Sequence, residues 1–362
     1  MEKKKILLLA LNGRGGMLHY SSQYANALSG RFDTYVVIPS YSDTTLFDSK
    51  VNLIKILAPP SIPGTVHSCL KFWSHLKLIN QIKELNPGIV QCMDDHPFYL
   101  FYLSQLRRFN LYVTLHDVKF HSGEEKGLIS KIDYKLHNYY FKHAKKLIVH
   151  GETQKEDLKK YGVEENKIVV VAHGDYSFFT NFSNPTIKTE EHTILFFGRI
   201  VQYKGVDTLI KSVPYIIKTI PHLRVIIAGE GDFSQYKRLI SSETKSHFEI
   251  FNKYLSEKEI AELFQRCSFV VLPYDDATQS GIIPIAYAFK KPVITTRVGS
   301  LSEVVDEGET GLIIPPKDPE KLAEAVIELF NQNLKIMGKK SYDKMGKMMN
   351  WKDIVNKIFG EK

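Results

Sequence analysis

Short unbroken apolar runs recur along the chain. Each is followed by a glycine-rich or polar turn and then by a stretch with helical spacing. Residues 5–11 form the first run. A strand covered on both faces reads as continuous apolar sequence rather than alternation, so this run predicts a buried parallel strand. Residues 12–16 form a turn. Residues 17–28 have helical spacing, with Leu18, Tyr24, Ala25 and Leu28 on the inner face. Further strands are predicted at 34–39, 51–57, 88–92, 111–115, 146–150 and 167–171. Helices are predicted at 67–85, ending at the Asn-Pro-Gly stop of 86–88, at 130–145, and between Gly151 and Gly162. Residues 59–64 read as a proline-rich loop. Residues 181–192 are polar, contain a proline and lack periodicity, so they predict a linker. The pattern then restarts. Strands are expected at 193–197, 223–228, 248–251, 269–273, from Ile294 and at 311–315. Helices are expected at 206–220, from the Ser256…Glu259 capping pattern, at 318–331 and around Trp351 to Phe359.

Two successive strand–turn–helix halves predict two doubly wound α/β domains. The expected boundaries are 1–180 for the first domain, 181–192 for the linker, 193–335 for the second domain, and 336–362 for a tail. At 362 residues, two domains are the better expectation for length as well.

Composition narrows the partners. Hydrophobic residues make up 43% and charged residues 24%, an ordinary globular balance. The net charge of +8 divides as +6 over residues 1–183 and +2 over 184–362. Such an excess suits anionic substrates or an anionic membrane surface, or serves solubility, and is too diffuse to argue for nucleic acid. Cys69, Cys92 and Cys267 are far apart and form no CxxC pair, which argues against a disulfide framework or a zinc site and fits a reducing compartment. No stretch approaches 18 apolar residues. The expectation is a cytoplasmic protein that could work at the inner face of the membrane. Lysines interleave with aromatics around Phe72-Trp73 and Tyr139-Tyr140-Phe141. These stretches can be basic amphipathic helices on a membrane or core helices with snorkelling lysines.

Candidate chemistry gathers at strand ends. Residues 272–305 read as strand end, turn, helix, strand and glycine turn, with Gln279, Ser280 and Gly281 at the helix start. The first amides of a helix lack internal partners, so such a start can hold a phosphate or a sugar hydroxyl. Gly15 and Gly16 open the first helix. They fall short of a dinucleotide fingerprint, because Leu18 stands where its last glycine is needed. They serve a tight turn or the approach of a phosphate or sugar. Arg199 follows a strand and Lys204 precedes a helix, offering a planar fork and a mobile point charge to a diphosphate. His116 lies just past a strand, where such sheets bind ligands. His121 and His137 are weaker candidates. Asp94-Asp95-His96 reads as loop surface, since neighbours in an extended chain point apart. No metal set and no hydrolase nucleophile signature is visible.

Several motifs in series resemble the nucleotide-sugar domain of family 4 retaining glycosyltransferases, of the GT-B fold. They are FFGRIVQYKGVDTLI, IIAGEGD, SEKEIAELFQRCSFVVLPY, KKPVITTRVGSLSEVV and GETGLIIPPKDPEKLAEAV. Gly15-Gly16, His116 and VVVAHGDYSFF extend the resemblance, more loosely, over the first half. It implies two Rossmann-like domains facing a cleft, with the tail returning to the first. It implies that Arg199 and Lys204 hold the donor pyrophosphate, that Gly16 and the amides of Ser280, Gly281 and Ile282 approach phosphates and sugar, and that His116 lies beside the sugar. Glu230 and the segment near Tyr254 join the donor side. No metal and no cofactor beyond the UDP- or GDP-sugar substrate is implied. The family's paired glutamates are absent. Their positions carry Ala277 and Ile285, leaving Asp276 and Gln279 as candidates for sugar contacts. The expected function is transfer of a hexose to a glycan or lipid-linked acceptor, in cell-surface polysaccharide or glycoconjugate synthesis. A non-catalytic nucleotide-sugar binder and a GT-B epimerase are the alternatives.

Overall fold

The computed structural model describes residues 3–58, 72–118 and 128–360, with two compact units. The expected loop at 59–64, the start of the helix predicted from 67, Cys69 and His121 lie outside the described residues.

The first unit comprises residues 1–174 and 351–362. Its strands are β1 (Lys5–Leu9), β2 (Asp33–Pro39), β3 (Asn52–Ile56), β4 (Ile89–Cys92), β5 (Asn110–Thr114), β6 (Lys146–Val149) and β7 (Ile168–Val170). Among the described residues they form one parallel sheet in the order β3-β2-β1-β4-β5-β6-β7. Register is set by pairs such as Leu7 with Tyr35 and with Val90. Both faces are covered, which explains the unbroken apolar runs. Leu7 and Leu9 join one core with Val90, Val113 and Leu147, while Ile6 and Leu8 join a second with Val36, Tyr112 and Ile148. The connecting helices are α1 (Gly15–Ser29), α2 (Phe72–Leu85), α3 (Tyr99–Leu106), α4 (Leu128–His143) and α5 (Glu152–Lys160). Helix α1 starts two residues earlier than its spacing predicts, so Gly15 and Gly16 belong to its first turn. Helix α3 was not expected. Its Tyr99, Tyr102 and Leu106 are buried in the first core.

The second unit spans residues 175–350. Its strands are β8 (Thr193–Phe197), β9 (Arg224–Ala228), β10 (Phe248–Phe251), β11 (Phe269–Leu272), β12 (Val293–Thr296) and β13 (Gly311–Ile314), parallel in the order β10-β9-β8-β11-β12-β13 among the described residues. Its helices are α6 (Val206–Ile216), α7 (Ser234–Lys237), α8 (Glu257–Arg266), α9 (Ile282–Ala288), α10 (Leu301–Val304), α11 (Pro319–Phe330) and α12 (Leu334–Met348). The Ser256 capping box forms in full, and Asp318 caps α11.

The boundaries differ from those expected. Residues 181–192 are part of the second unit rather than a free linker. Asn184 accepts and donates hydrogen bonds with the Gln265 side chain, and Glu190 forms ion pairs with Arg266. Helix α12 also stays with the second unit, so only 351–362 of the predicted tail rejoins the first. There α13 (Trp351–Phe359) packs on α1 and the sheet. Trp351 stands edge-on to Tyr20 at 5.2 Å, and Phe359 stacks on Tyr112 at 5.5 Å. A Cβ at Gly174 would stand 2.1 Å from the Trp351 ring, so the helix needs a glycine there to dock.

Candidate functional site

In an open doubly wound sheet, ligands bind beyond the carboxyl ends of the strands where strand order reverses. In the second unit that point lies between β8 and β11. Arg199 follows β8 and Lys204 ends the 3-10 turn Gln202–Lys204. Gly205 then takes a left-handed conformation at φ 64°. A Cβ there would stand 1.9 Å from the carbonyl oxygen of Pro273, so only glycine lets the two sides of the crevice close. The amide of Asp275 donates to the carbonyl of Tyr203 at 2.7 Å, stitching the same two segments.

Each cation rests on a tyrosine. Arg199 is exposed, and its Nη2 donates to the Tyr203 hydroxyl at 3.1 Å. Lys204 is half-buried. Its Nζ donates to the Tyr274 hydroxyl at 3.0 Å and stands 4.5 Å from that ring's centroid. The crevice therefore presents two positive charges held in place, as a diphosphate requires.

The other predicted donor residues divide. Asp276, Gln279, Ser280 and Gly281 all lie in the half-buried loop between β11 and α9. Gln279 Oε1 and Asp275 Oδ1 are buried acceptors with no hydrogen-bond partner among the described residues. Helix α9 spans seven residues, and its first amide, from Ile282, donates to Ser280 Oγ at 3.3 Å. Glu230 is exposed past β9, and its carbonyl accepts from the Ile200 amide at 2.8 Å. Tyr254 is 56% exposed beyond β10. Ala277 and Ile285 are buried, so no carboxylate occupies either position.

The first unit has its own reversal point, between β1 and β4. Gly15 and Gly16 stand at the start of α1, and among the described residues no atom beyond their chain neighbours and the helix's own backbone lies within 4 Å of where either Cβ would be. His116 is buried after β5. Its Nε2 lies 3.1 Å from the Met93 carbonyl, which can only accept, so Nε2 carries the hydrogen and Nδ1 keeps a lone pair. That Nδ1 has no hydrogen-bond partner among the described residues. Tyr20 packs edge-on against His116, His150 and His173 at 4.8, 5.3 and 5.1 Å. Burial holds all three histidines below their usual pKa, with His173 pushed down to about 3.

The Asp94-Asp95-His96 segment is not loop surface. Asp94 and His96 are buried. Asp94 accepts from the Tyr99 hydroxyl at 2.5 Å and from the Asn12 amide at 2.7 Å, and burial raises its pKa to about 7. Asp95 meets His137 at 3.1 Å. The chain bends at Asp94, and the Asn12 amide and Tyr99 hydroxyl draw that side chain inside. No group of three or more His, Cys, Asp or Glu suited to a metal occurs among the described residues.

Both halves of the chain match known families. Residues 14–174 match the model described as glycosyltransferase family 4, and residues 191–332 match the one described as glycosyl transferases group 1. The chain belongs to the group 1, family 4 glycosyltransferases. An uncharacterised glycosyltransferase of Methanocaldococcus jannaschii is 30% identical over 167 residues, covering 46% of this chain and 42% of that protein. A glycogen synthase of Mycobacterium tuberculosis is 26% identical over 270 residues, 72% of this chain and 64% of that one. The chain thus spans less than two thirds of either relative. Sucrose-phosphate synthase from Thermosynechococcus elongatus has the same fold at TM-score 0.75 and 18% identity, covering 98% of this chain and 97% of that one. Anabaena HepE in complex with UDP and glucose matches at TM-score 0.76 and 16% identity, over 99% and 100% of the chains. The fold of this glycosyltransferase is GT-B, with two Rossmann-like parallel-sheet units. Its Tyr203 and Tyr274 were not singled out from sequence. Position is the signal that could have found Tyr274, which stands just beyond the carboxyl end of β11 at the reversal point.

Proposed function

We propose that this glycosyltransferase moves a hexose, with retention of anomeric configuration, from a UDP- or GDP-sugar to a glycan or lipid-linked acceptor, without a metal or further cofactor. The observation that carries this reading is the pairing of Arg199 and Lys204 at the β8–β11 reversal point, each held by a tyrosine hydroxyl. In the reaction the bond from C1 of the sugar to the diphosphate oxygen breaks, and the acceptor oxygen bonds to C1 on the same face. The acceptor proton passes to the departing phosphate oxygen, so no protein base is required. Negative charge grows on the diphosphate as it leaves, and the two cations stabilise it. Gln279 and Asp276 take sugar hydroxyls in place of the absent glutamates, with Ser280 and Gly281 beside them. Glu230 and Tyr254 border the nucleoside. In the first unit, Gly15 and Gly16 leave the start of α1 open to substrate, and the His116 Nδ1 lone pair accepts from a sugar hydroxyl. HepE, solved with UDP-glucose, supports a nucleotide-sugar donor. The positive excess of the first half supports work at an anionic membrane surface in polysaccharide or glycoconjugate synthesis. Among the described residues, no helix is long and apolar enough to cross a membrane.

A second reading, a binder without turnover, is favoured by the apolar Ala277 and Ile285. Incubation with a panel of UDP- and GDP-sugars and oligosaccharide or lipid-linked acceptors separates the two. Release of nucleoside diphosphate with transfer to an acceptor supports the enzyme. Tight donor binding with no turnover on any acceptor supports the binder.

A further inference from the structure

The Lys204 ammonium has three N–H donors. One is used on the Tyr274 oxygen at 3.0 Å, and the charge stands over the hydroxyl end of the same ring. Tyr274 is 1% exposed, so its ring cannot move away. Its backbone is anchored as well, because Thr296 Oγ1 donates to the Tyr274 carbonyl at 2.6 Å. The hydroxyl has a second neighbour, Ser280 Oγ at 3.5 Å, on the sugar-side turn. With its lone pair given to lysine, the Tyr274 hydrogen is free to point toward Ser280. The room around the ammonium is also fixed, since a Cβ at Gly198 would stand 3.2 Å from Nζ.

We propose that Tyr274 is a positioning residue for the donor, fixing the Lys204 ammonium before the ligand arrives so that its two remaining N–H groups meet the diphosphate. This rests on the donor reading above. An unheld lysine has a flexible four-carbon stem and must lose that freedom on binding. Tyr274 removes the cost in advance, and through Ser280 it ties the phosphate side of the crevice to the sugar side.

The test is titration of wild type, Tyr274→Phe, Lys204→Ala and the double variant with UDP and GDP, and with uridine and guanosine as controls lacking the diphosphate. Tyr274→Phe keeps the buried ring and removes only the hydroxyl. The expected result is a rise of about tenfold in Kd for the nucleoside diphosphate that binds. The nucleoside control should be unchanged, and the effect should vanish when Lys204 is already alanine. An equal loss for nucleoside and diphosphate would make Tyr274 a packing residue and overturn the proposal. So would the same loss with and without Lys204. If Lys204→Ala weakens binding while Tyr274→Phe does not, the proposal falls and the donor reading stands. If Lys204→Ala binds like wild type, the donor reading falls with it.

Discussion

On the proposed reading, Lys204 carries most of the charge stabilisation in the reaction. Replacing it with alanine removes a fixed charge from a growing diphosphate anion, and loss of one such partner costs roughly a hundredfold or more in kcat. Arg199→Ala should cost less, because Arg199 is exposed and water screens it. Steady-state kinetics with the preferred donor checks both, and near-normal rates for Lys204→Ala would remove the phosphate assignment. The two cations were legible in sequence because a glycine flanks each side of the Arg-x4-Lys spacing. Their holders were legible only in part. Tyr203 is one turn away, but Tyr274 is 70 positions distant from Lys204 and meets it only once the sheet forms. Asp94 shows the converse. Alternation along an extended chain predicted outward side chains, but a local bend and the Tyr99 hydroxyl drew this one inside.

At the level of elements, the crevice depends on Gly205. Alanine there costs about 1 kcal/mol for the left-handed backbone alone. Its Cβ must also push the Pro273 carbonyl away from 1.9 Å, which opens the crevice. Gly205→Ala should lower the melting temperature by at least a few degrees and weaken nucleoside diphosphate binding together with it. Unchanged binding would show that the closure does not shape the site. Strands were the most readable elements, since a sheet covered on both faces writes itself as apolar runs. Helix α3 was not. Its sequence, YLFYLSQL, is short and nearly all apolar, and periodicity cannot separate such a run from a strand or loop. Residues 181–192 misled in the opposite sense. Polar composition suggests a linker, but their hydrogen bonds are made to Gln265 and Arg266, which local composition cannot reveal.

For the whole molecule, acid should act on the first unit. An unfolded histidine binds its proton near pH 6.5. Burial holds folded His96 neutral down to about 4 and His173 down to about 3. Between those values the unfolded chain carries more protons, so stability is full above 6.5 and is lost as pH falls toward 4 and below. His116 and His150 shift in the same direction. Asp94 opposes them. Its raised pKa of about 7 contributes stability that is full below 3.8 and lost as pH rises through 7. Four histidines against one carboxyl predict net destabilisation of the first unit between pH 6.5 and 4. Hydrogen exchange from β1, β4 and β5, followed across that range, should show earlier opening at low pH. Constant protection would contradict the buried neutral histidines.

The proposed function places a nucleoside diphosphate on Arg199 and Lys204, in the β8–β11 crevice of the second unit. Calorimetric titration of UDP and GDP into the wild-type chain and Lys204→Ala, with metals chelated, tests it most directly. The predicted result is saturable binding of at least one diphosphate to the wild type, weakened tenfold or more by Lys204→Ala, with the variant still folded. Absence of binding to the wild type, or equal binding to both proteins, would rule out a diphosphate site on these two cations.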